Sequence, residues 1–339
     1  MKAETEKRNV LNDCHTDFSV IMFCDHAPDL LESALEALGK VSTRDELEVM
    51  VIDDGAFDGR GRVAEKAAMQ GLPIRYFHLP GIRKVDAWNH ALRESTHDHL
   101  AFLDDDCVPP PGWLRAFEDS FDGRVVGVVG GPDEAPEDAS AFEKCLDYVL
   151  SSPIGTLGFR RGSNRLGRYY PRPWNMAASR ELLVLAGGFD EESPEAPEVP
   201  MIHRLEGMGY RVAYQPKAMV RHRKETSLSR FAGRDFRLGM DRGRCTQQPG
   251  VARVYSMVLA LLAALLSLSI VWTTRAFAGD TSAVMAAAYA LAVSFSGLHA
   301  AISMRNPAAM VLVPFLLVVH HIAHIAGYCL GRLRRRSPA

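Results

Sequence analysis

The sequence predicts an α/β domain with a mainly parallel sheet and helices on both of its faces, followed by an α-helical membrane region. Three observations carry this. Short apolar runs alternate with stretches of helical spacing over the first 225 residues. Only eight of the charged residues follow residue 250. Three stretches free of Asp, Glu, Lys and Arg, each long enough to cross a bilayer, occupy that last part.

The elements follow in order. Phe18–Cys24, Leu47–Ile52, Ile74–Leu79 and Leu100–Leu103 read as strands, continuous in apolar character as buried parallel strands are. Pro28–Lys40, Arg60–Gly71 and Arg83–Ser95 lie between them with apolar residues three and four apart, which predicts helices. In such sheets the functional site gathers at the carboxyl ends of the strands, which directs attention to Asp53–Asp54 and Asp104–Asp106. The chain has 339 residues, 47% of them hydrophobic, with a formal net charge of -2. That composition excludes a disordered chain and argues against a nucleic-acid partner, whose phosphates call for excess Lys and Arg. Six scattered cysteines without a paired spacing predict reduced thiols, and the polar tail 1–17 lacks the apolar core of a signal peptide.

Residues 226–253 read as a basic amphipathic connector lying at an anionic membrane surface. Over 221–253, nine Arg and Lys face Glu225, Asp235 and Asp241. On a helical projection Leu228, Phe231, Ala232, Phe236 and Leu238 share one arc and Arg230, Arg234 and Arg237 the opposite one. The expected spans are 254–274, 282–303 and 308–330, within a transmembrane region 254–331, and a basic tail 332–339 closes the chain. The connector keeps the preceding domain cytoplasmic. Three full crossings would then place Arg332–Arg336 on the far side. Either the positive-inside tendency is broken or one stretch, the last with Pro314, is re-entrant. His320, His321 and His324 are expected to hydrogen-bond between helices rather than to bind metal, and Gly327-x-x-x-Gly331 to pack helices closely.

Two acidic groups carry candidate chemistry. Asp104-Asp105-Asp106 follows the fourth strand and precedes Pro109-Pro110-Pro111. Three crowded carboxylates are stabilised by a hard divalent cation, Mg²⁺ or Mn²⁺, with Asp104 and Asp106 facing one way and Asp105 the other; an acidic surface turn is the alternative. Asp53-Asp54-Gly55 closes the second strand and suits recognition of a base or ribose, or else simply forms a turn.

Taken together, VIDDGAFDG (51–59), AWNHAL (87–92), AFLDDDCVPPPGWL (101–114), VGG (129–131), NMAASRELLVLAGGFDE (175–191) and HRLEGMGYRVAYQPKAMVRH (203–222) resemble family 2 glycosyltransferases over residues 18–225. The tail from Ser227 and the apolar stretches are similar to the membrane-anchored branch that includes succinoglycan-type exopolysaccharide enzymes. The resemblance implies the GT-A fold, Rossmann-like with a mixed, mainly parallel sheet, and a nucleotide-sugar donor. It implies donor-binding roles for Asp53, Asp54, Arg83, Lys84, Asn89, Asp104 and Asp105, and metal ligation by Asp104 and Asp106. It also places the general base at Glu198, in the second position of an acid pair whose first position here holds Pro197. Trp174 and Asn175 are expected to touch substrate, and Glu195 is a competing base.

The sequence departs from the family at Phe23-Cys24-Asp25-His26, where Pro/Thr-x-Tyr-Asn is usual, and has no Gln-x-x-Arg-Trp, the mark of processive synthases. The expected activity is inverting, metal-dependent transfer from a nucleotide-diphosphate sugar, a UDP-sugar, to a lipid-linked or saccharide acceptor beside the membrane. The expected location is the inner membrane, multi-pass, with membrane lipid as a partner. A polyprenyl-phosphate sugar synthase, a catalytically lapsed scaffold of the same fold and a nucleotidyltransferase are the competing readings.

Overall fold

A computed structural model describes residues 17–41, 46–121, 125–156, 169–224, 227–244 and 279–334. Along the chain come β1 (Phe18–Cys24), α1 (Pro28–Leu38), β2 (Leu47–Asp53), α2 (Arg60–Met69), β3 (Ile74–His78), α3 (Lys84–Glu94) and β4 (His99–Asp104). Next are β5 (Cys107–Val108), α4 (Trp113–Glu118), β6 (Val126–Gly130), β7 (Asp133–Glu134), α5 (Ala141–Ser151), α6 (Pro153–Thr156), β8 (Asn175–Ser179) and α7 (Arg180–Leu185). The last are α8 (Glu198–Gly207), β9 (Arg211–Tyr214), β10 (Val220–His222), α9 (Leu228–Arg244), α10 (Gly279–Ser303) and α11 (Ala309–Leu333). The four strands and three helices expected over 18–95 and 100–103 all form. The chain divides into two compact units. One holds Met1–Asp133, Pro171–Phe189 and Arg204–Val220, the other Glu134–Tyr170, Asp190–His203 and Arg221–Ala339.

The first unit is built on a seven-stranded sheet in the order β3-β2-β1-β4-β8-β6-β9. All neighbours run parallel except β8, which is antiparallel to both β4 and β6. All seven residues of β1 are buried, which explains its unbroken apolar run FSVIMFC. Proline opens α1, where its missing N–H costs nothing, and Leu31, Ala34, Leu35 and Leu38 form the face it buries. The register aligns Cys24 with Asp53 and Phe23 with Asp104, so three strands deliver their acidic ends to one edge of the sheet.

The second unit is helical. A capping box between Ser140 and Glu143 starts α5. Phe231 of α9, Leu146 and Val149 of α5, and Val313, Leu316 and Leu317 of α11 share one apolar core. Helices α9 and α11 meet at reciprocal glycines: a Cβ on Gly327 would lie 1.9 Å from the Phe236 carbonyl oxygen, and one on Gly239 would lie 2.2 Å from that of His324. Only hydrogen at those Cα atoms allows such an approach. The two ring nitrogens of His320 contact Asp235 Oδ2 (2.6 Å) and the Gly155 oxygen (3.0 Å); those of His321 contact Tyr289 Oη (2.8 Å) and the Ile154 oxygen (3.2 Å). These histidines join helices, as expected.

One expectation about this region is corrected. The buried stripe of α9 is Phe231, Asp235, Gly239 and Gly243, one residue per turn, and not the large apolar arc; Leu228 is left exposed. Glycine approach and the Asp235–His320 pair determine which face is covered. The last apolar stretch is one continuous helix through Pro314, which gives no support to a re-entrant break there. Among the described residues, two helices, over Ala286–Ser303 and Ala309–Leu333, are long and apolar enough to cross a membrane. The expected span 254–274 and most of the tail 1–17 lie outside the described residues.

Candidate active site

Asp53 and Asp54 end β2, and the structure separates their roles. Asp53 is buried, with Oδ1 accepting from the Gly55 N–H (2.9 Å) and Arg60 Nη1 (2.6 Å), and Oδ2 from the Tyr76 hydroxyl. These partners hold its carboxyl below the usual value although burial pushes the other way. Asp53 is therefore an internal tie, which corrects its assignment to the donor. Asp54 accepts through Oδ1 from Ala56 N–H and Arg60 Nη1 and stays partly open to solvent. Of the two, it is the acid that can meet a ligand.

Arg60 was not singled out in the sequence. Its side chain is fully buried and donates to the Cys24 and His26 carbonyl oxygens as well as to both aspartates, tying the end of β1 to the end of β2. A signal existed: Arg60, Ala64 and Ala67 share the buried face of α2 at spacings of four and three.

The three aspartates after β4 are all buried, at 4%, 0% and 8% exposure for Asp104, Asp105 and Asp106. Asp104 Oδ2 accepts from Lys84 Nζ, whose ammonium also lies over the rings of Phe23 (5.4 Å) and Trp88 (5.6 Å). Asp105 points to His26 instead, which grips it twice: the His26 backbone N–H donates to Oδ2 (3.0 Å) and Nδ1 lies 2.7 Å from Oδ1. Both Asp105 oxygens are thus used internally, which corrects its place in the donor set and agrees with its facing away from Asp104. Asp106 Oδ2 lies 3.7 Å from His26 Nε2, and Asp25 Oδ1 lies 2.9 Å from Nδ1. The unusual Asp25-His26 pair therefore belongs to the acid cluster.

The groups of this cluster shift one another's protonation. Burial, reinforced by Asp106 and Asp25 and opposed by Lys84, pushes Asp104 up to about 6. Burial opposes a charge on His26, but hydrogen bonds to Asp105 and Asp25 and the charge of Asp106 outweigh it and push His26 up to about 11. Asp104 Oδ1 is buried without a hydrogen-bond partner. Asp25, His26 and Asp105 also bring ligand atoms within 4.8 Å of one another, but Nδ1 of His26 already lies between the two carboxylates.

Two further expected contacts turn inward. The Asn89 amide donates to the Phe189 oxygen (3.0 Å) and accepts from its N–H (2.9 Å). It pins the turn at Gly188, whose φ of +72° suits glycine and where a Cβ would lie 2.6 Å from Asn89 Oδ1. Asn175, fully buried, accepts from Trp113 Nε1 and donates to the Pro132 and Ala218 oxygens. Both N–H groups of the buried Asn175 amide are used inside the fold, and Asn89 uses one N–H and its oxygen there. Arg83 is held bidentately by Asp86 but exposed, and Trp174 is half-buried with the Arg172 guanidinium 5.8 Å from its ring centroid.

In the helical unit, Glu198 opens α8 and is 1% exposed. A carboxylate in a first helical turn is favoured by the helix dipole. Glu195 Oε1 instead accepts from Arg237 Nε (2.5 Å), and its backbone N–H donates to Asp241 Oδ2.

Residues 19–181 match the Glycosyl transferase family 2 model. The chain is 23% identical to the succinoglycan biosynthesis protein ExoA of Rhizobium meliloti, over 92% of this chain and 94% of that protein. It is 26% identical to ExoM of the same organism, over 73% and 80%. Among solved structures, a mannosyltransferase from Pyrobaculum calidifontis in complex with GDP-Man and Mn²⁺ shares the fold, with a TM-score of 0.56, 21% identity and coverage of 91% and 86%. The acid cluster at the ends of β1, β2 and β4 lies within the matched span, and the chain is a glycosyltransferase with a family 2 domain.

Proposed function

We propose that this enzyme is an inverting, metal-dependent glycosyltransferase that moves a sugar from a UDP-sugar to a lipid-linked or membrane-proximal saccharide acceptor in polysaccharide or glycolipid assembly. The proposal extends to its location: the inner membrane, multi-pass, with the sheet unit cytoplasmic and membrane lipid around α10 and α11. The observation that carries the reading is Asp104 Oδ1, a buried carboxylate oxygen without a hydrogen-bond partner in a cluster of buried carboxylates around Lys84 and His26. The likeness to a fold that holds GDP-Man with Mn²⁺ supports it.

Asp104 and Asp106 would hold Mg²⁺ or Mn²⁺, which supplies charge neutralisation for the leaving diphosphate. The chain's own groups do the rest. Lys84 fixes Asp104 and keeps a positive charge beside the phosphates. Asp54 presents its open side to the donor base, and Arg83 remains exposed for the phosphates. Glu198 takes the proton of the acceptor hydroxyl at a carboxylate oxygen, so that the hydroxyl attacks the anomeric carbon opposite the departing nucleotide and inverts it.

The test is calorimetric titration of the detergent-solubilised full chain with UDP. Binding should require Mn²⁺ or Mg²⁺ and be lost in Asp106→Ala; equal binding by that variant overturns the reading. Glu198→Gln should retain donor binding and lower turnover by about 10²–10⁴-fold. Undiminished transfer by Glu198→Gln would point to a phosphate acceptor, which needs no base.

A further inference from the structure

The loop that leads into α8 is closed on itself. The Asp190 N–H donates to the Pro197 oxygen (3.1 Å), the Ser193 N–H to the Asp190 oxygen (3.3 Å) and the Ala196 N–H to the Ser193 oxygen (3.1 Å). The Val199 N–H then donates to the Ala196 oxygen (3.1 Å), which joins the loop to the first turn of α8, where Glu198 stands. Ser193, Ala196 and Glu198 are all buried. A segment tied by its own backbone has little freedom to absorb a displacement, so a shift at Glu195 reaches Glu198, three residues on. Glu195 is in turn held from α9 at two points. Its Oε1 accepts from Arg237 Nε (2.5 Å), and its backbone N–H donates to Asp241 Oδ2 (3.0 Å). Arg237 and Asp241 are four residues apart on α9 and so share one face. Asp241 is 5% exposed, a costly place for a carboxylate, and the Glu195 N–H offsets part of that cost. The opposite face of α9 is the stripe Phe231, Asp235, Gly239 and Gly243, which packs along α11 from His320 to Arg332.

We infer that Arg237 and Asp241 are positioning residues for Glu198: they clasp Glu195 and so set the turn that carries the base. The inference rests on the reading of Glu198 as the base. Glu195 is the handle of the clasp, and α9 is the strut, with one face on α11 and the other on the loop before α8. The Arg237–Glu195 pair is open to solvent, at 55% and 21% side-chain exposure, and such a pair adds little to stability. Its effect is on geometry, in the loop that leads to the base, where a misplacement of about 1 Å costs on the order of 10²-fold in rate.

Arg237→Gln in the detergent-solubilised full chain tests the clasp, with UDP-glucose as donor, water as acceptor and UDP release as the readout. The variant should lower kcat on the order of 10²-fold and keep the wild-type KM for UDP-glucose, Mn²⁺-dependent Kd for UDP and Tm. The decisive comparison is made in a Glu198→Gln background. Arg237 acts through Glu198, so once the base is gone Arg237→Gln should cost nothing further. An unchanged kcat in Arg237→Gln, or an equal loss with and without Glu198, overturns the clasp. Should Arg237→Gln melt lower, Glu195→Gln keeps the backbone bond to Asp241 and is held to the same two outcomes. Hydrogen exchange gives a reading without turnover: peptides spanning 190–199 should lose protection in Arg237→Gln, and unchanged protection also overturns the clasp. Full turnover by Glu198→Gln alone is a different result, which removes the base and the clasp together.

Discussion

The two units bury charge in opposite ways. At the edge of the sheet, Asp25, Asp104, Asp105 and Asp106 crowd around His26 and Lys84, and Asp104 Oδ1 has no hydrogen bond. In the helical unit one carboxylate, Asp235, meets one histidine, and both ring nitrogens of His320 and of His321 are bonded. A balanced polar group inside a protein is a joint, because its desolvation is repaid within the fold. An unbalanced one persists only because something outside the chain completes it. Burial alone therefore does not mark a site; the unmet charge does.

This contrast is broken most decisively at Asp106. Asp106→Ala should lower sugar transfer on the order of 10²–10³-fold or more, measured as nucleotide release, since it deletes charge where the leaving group is neutralised. The same change should leave the metal-free Tm unchanged or higher, because it relieves like-charge repulsion among buried carboxylates. A marked fall in Tm would mean that the cluster is a structural joint after all. The opposite is expected in the helical unit. Asp235→Ala strands His320 and should cost about 3–5 kcal/mol, whereas replacing both members with leucine should recover most of that loss. Thermal melts in detergent decide it, and an Asp235→Ala variant as stable as the wild type would remove the distinction between the two regions.

The sequence located both regions but not their division of labour. Strands β1 to β4 and helices α1 to α3 were legible because continuous apolar runs and three-to-four spacing follow directly from burial on two faces or one. The acids at 53–54 and 104–106 were legible as groups, since parallel strands bring their carboxyl ends together. Which acid of each group faces outward depends on partners distant in sequence: Arg60 and Tyr76 take Asp53, and His26 takes Asp105. Asn175 reads as a ligand contact because a polar amide within a motif carries no sign of the backbone that will saturate it. On α9 the helical projection weighed side-chain size, whereas the packing is governed by glycines that project nothing.

His26 sharpens the contrast within the sheet unit. It departs from the family pattern, yet its backbone N–H and ring fix both oxygens of Asp105, the residue between the two presumptive ligands. Partners that orient a ligating segment change metal affinity by about 10–100-fold when removed. His26→Asn should therefore weaken Mn²⁺ binding by that factor, read by electron paramagnetic resonance of the free ion, with the far-ultraviolet circular dichroism unchanged. An unaltered Mn²⁺ affinity would make His26 a bystander and reduce the cluster to Asp104 and Asp106 alone.

The smallest expected effect comes from Asp53, which belongs to the balanced class although it sits at the site. Burial works against its charge, but Tyr76, the Gly55 N–H and Arg60 hold its carboxyl below the usual value in the folded protein. The unfolded chain titrates at about 3.9. The folded state thus binds that proton less readily, and the stabilisation is complete above the unfolded value and lost as pH falls through the folded one. Asp53→Asn should melt below the wild type at about pH 7, and the gap should narrow progressively below about pH 4. Should the gap stay constant through the acid range, the tie between β1 and β2 would rest on shape and neutral hydrogen bonds. Asp53 would then not be the charged counterpart of Arg60, and the balanced pair at the sheet edge would need another explanation.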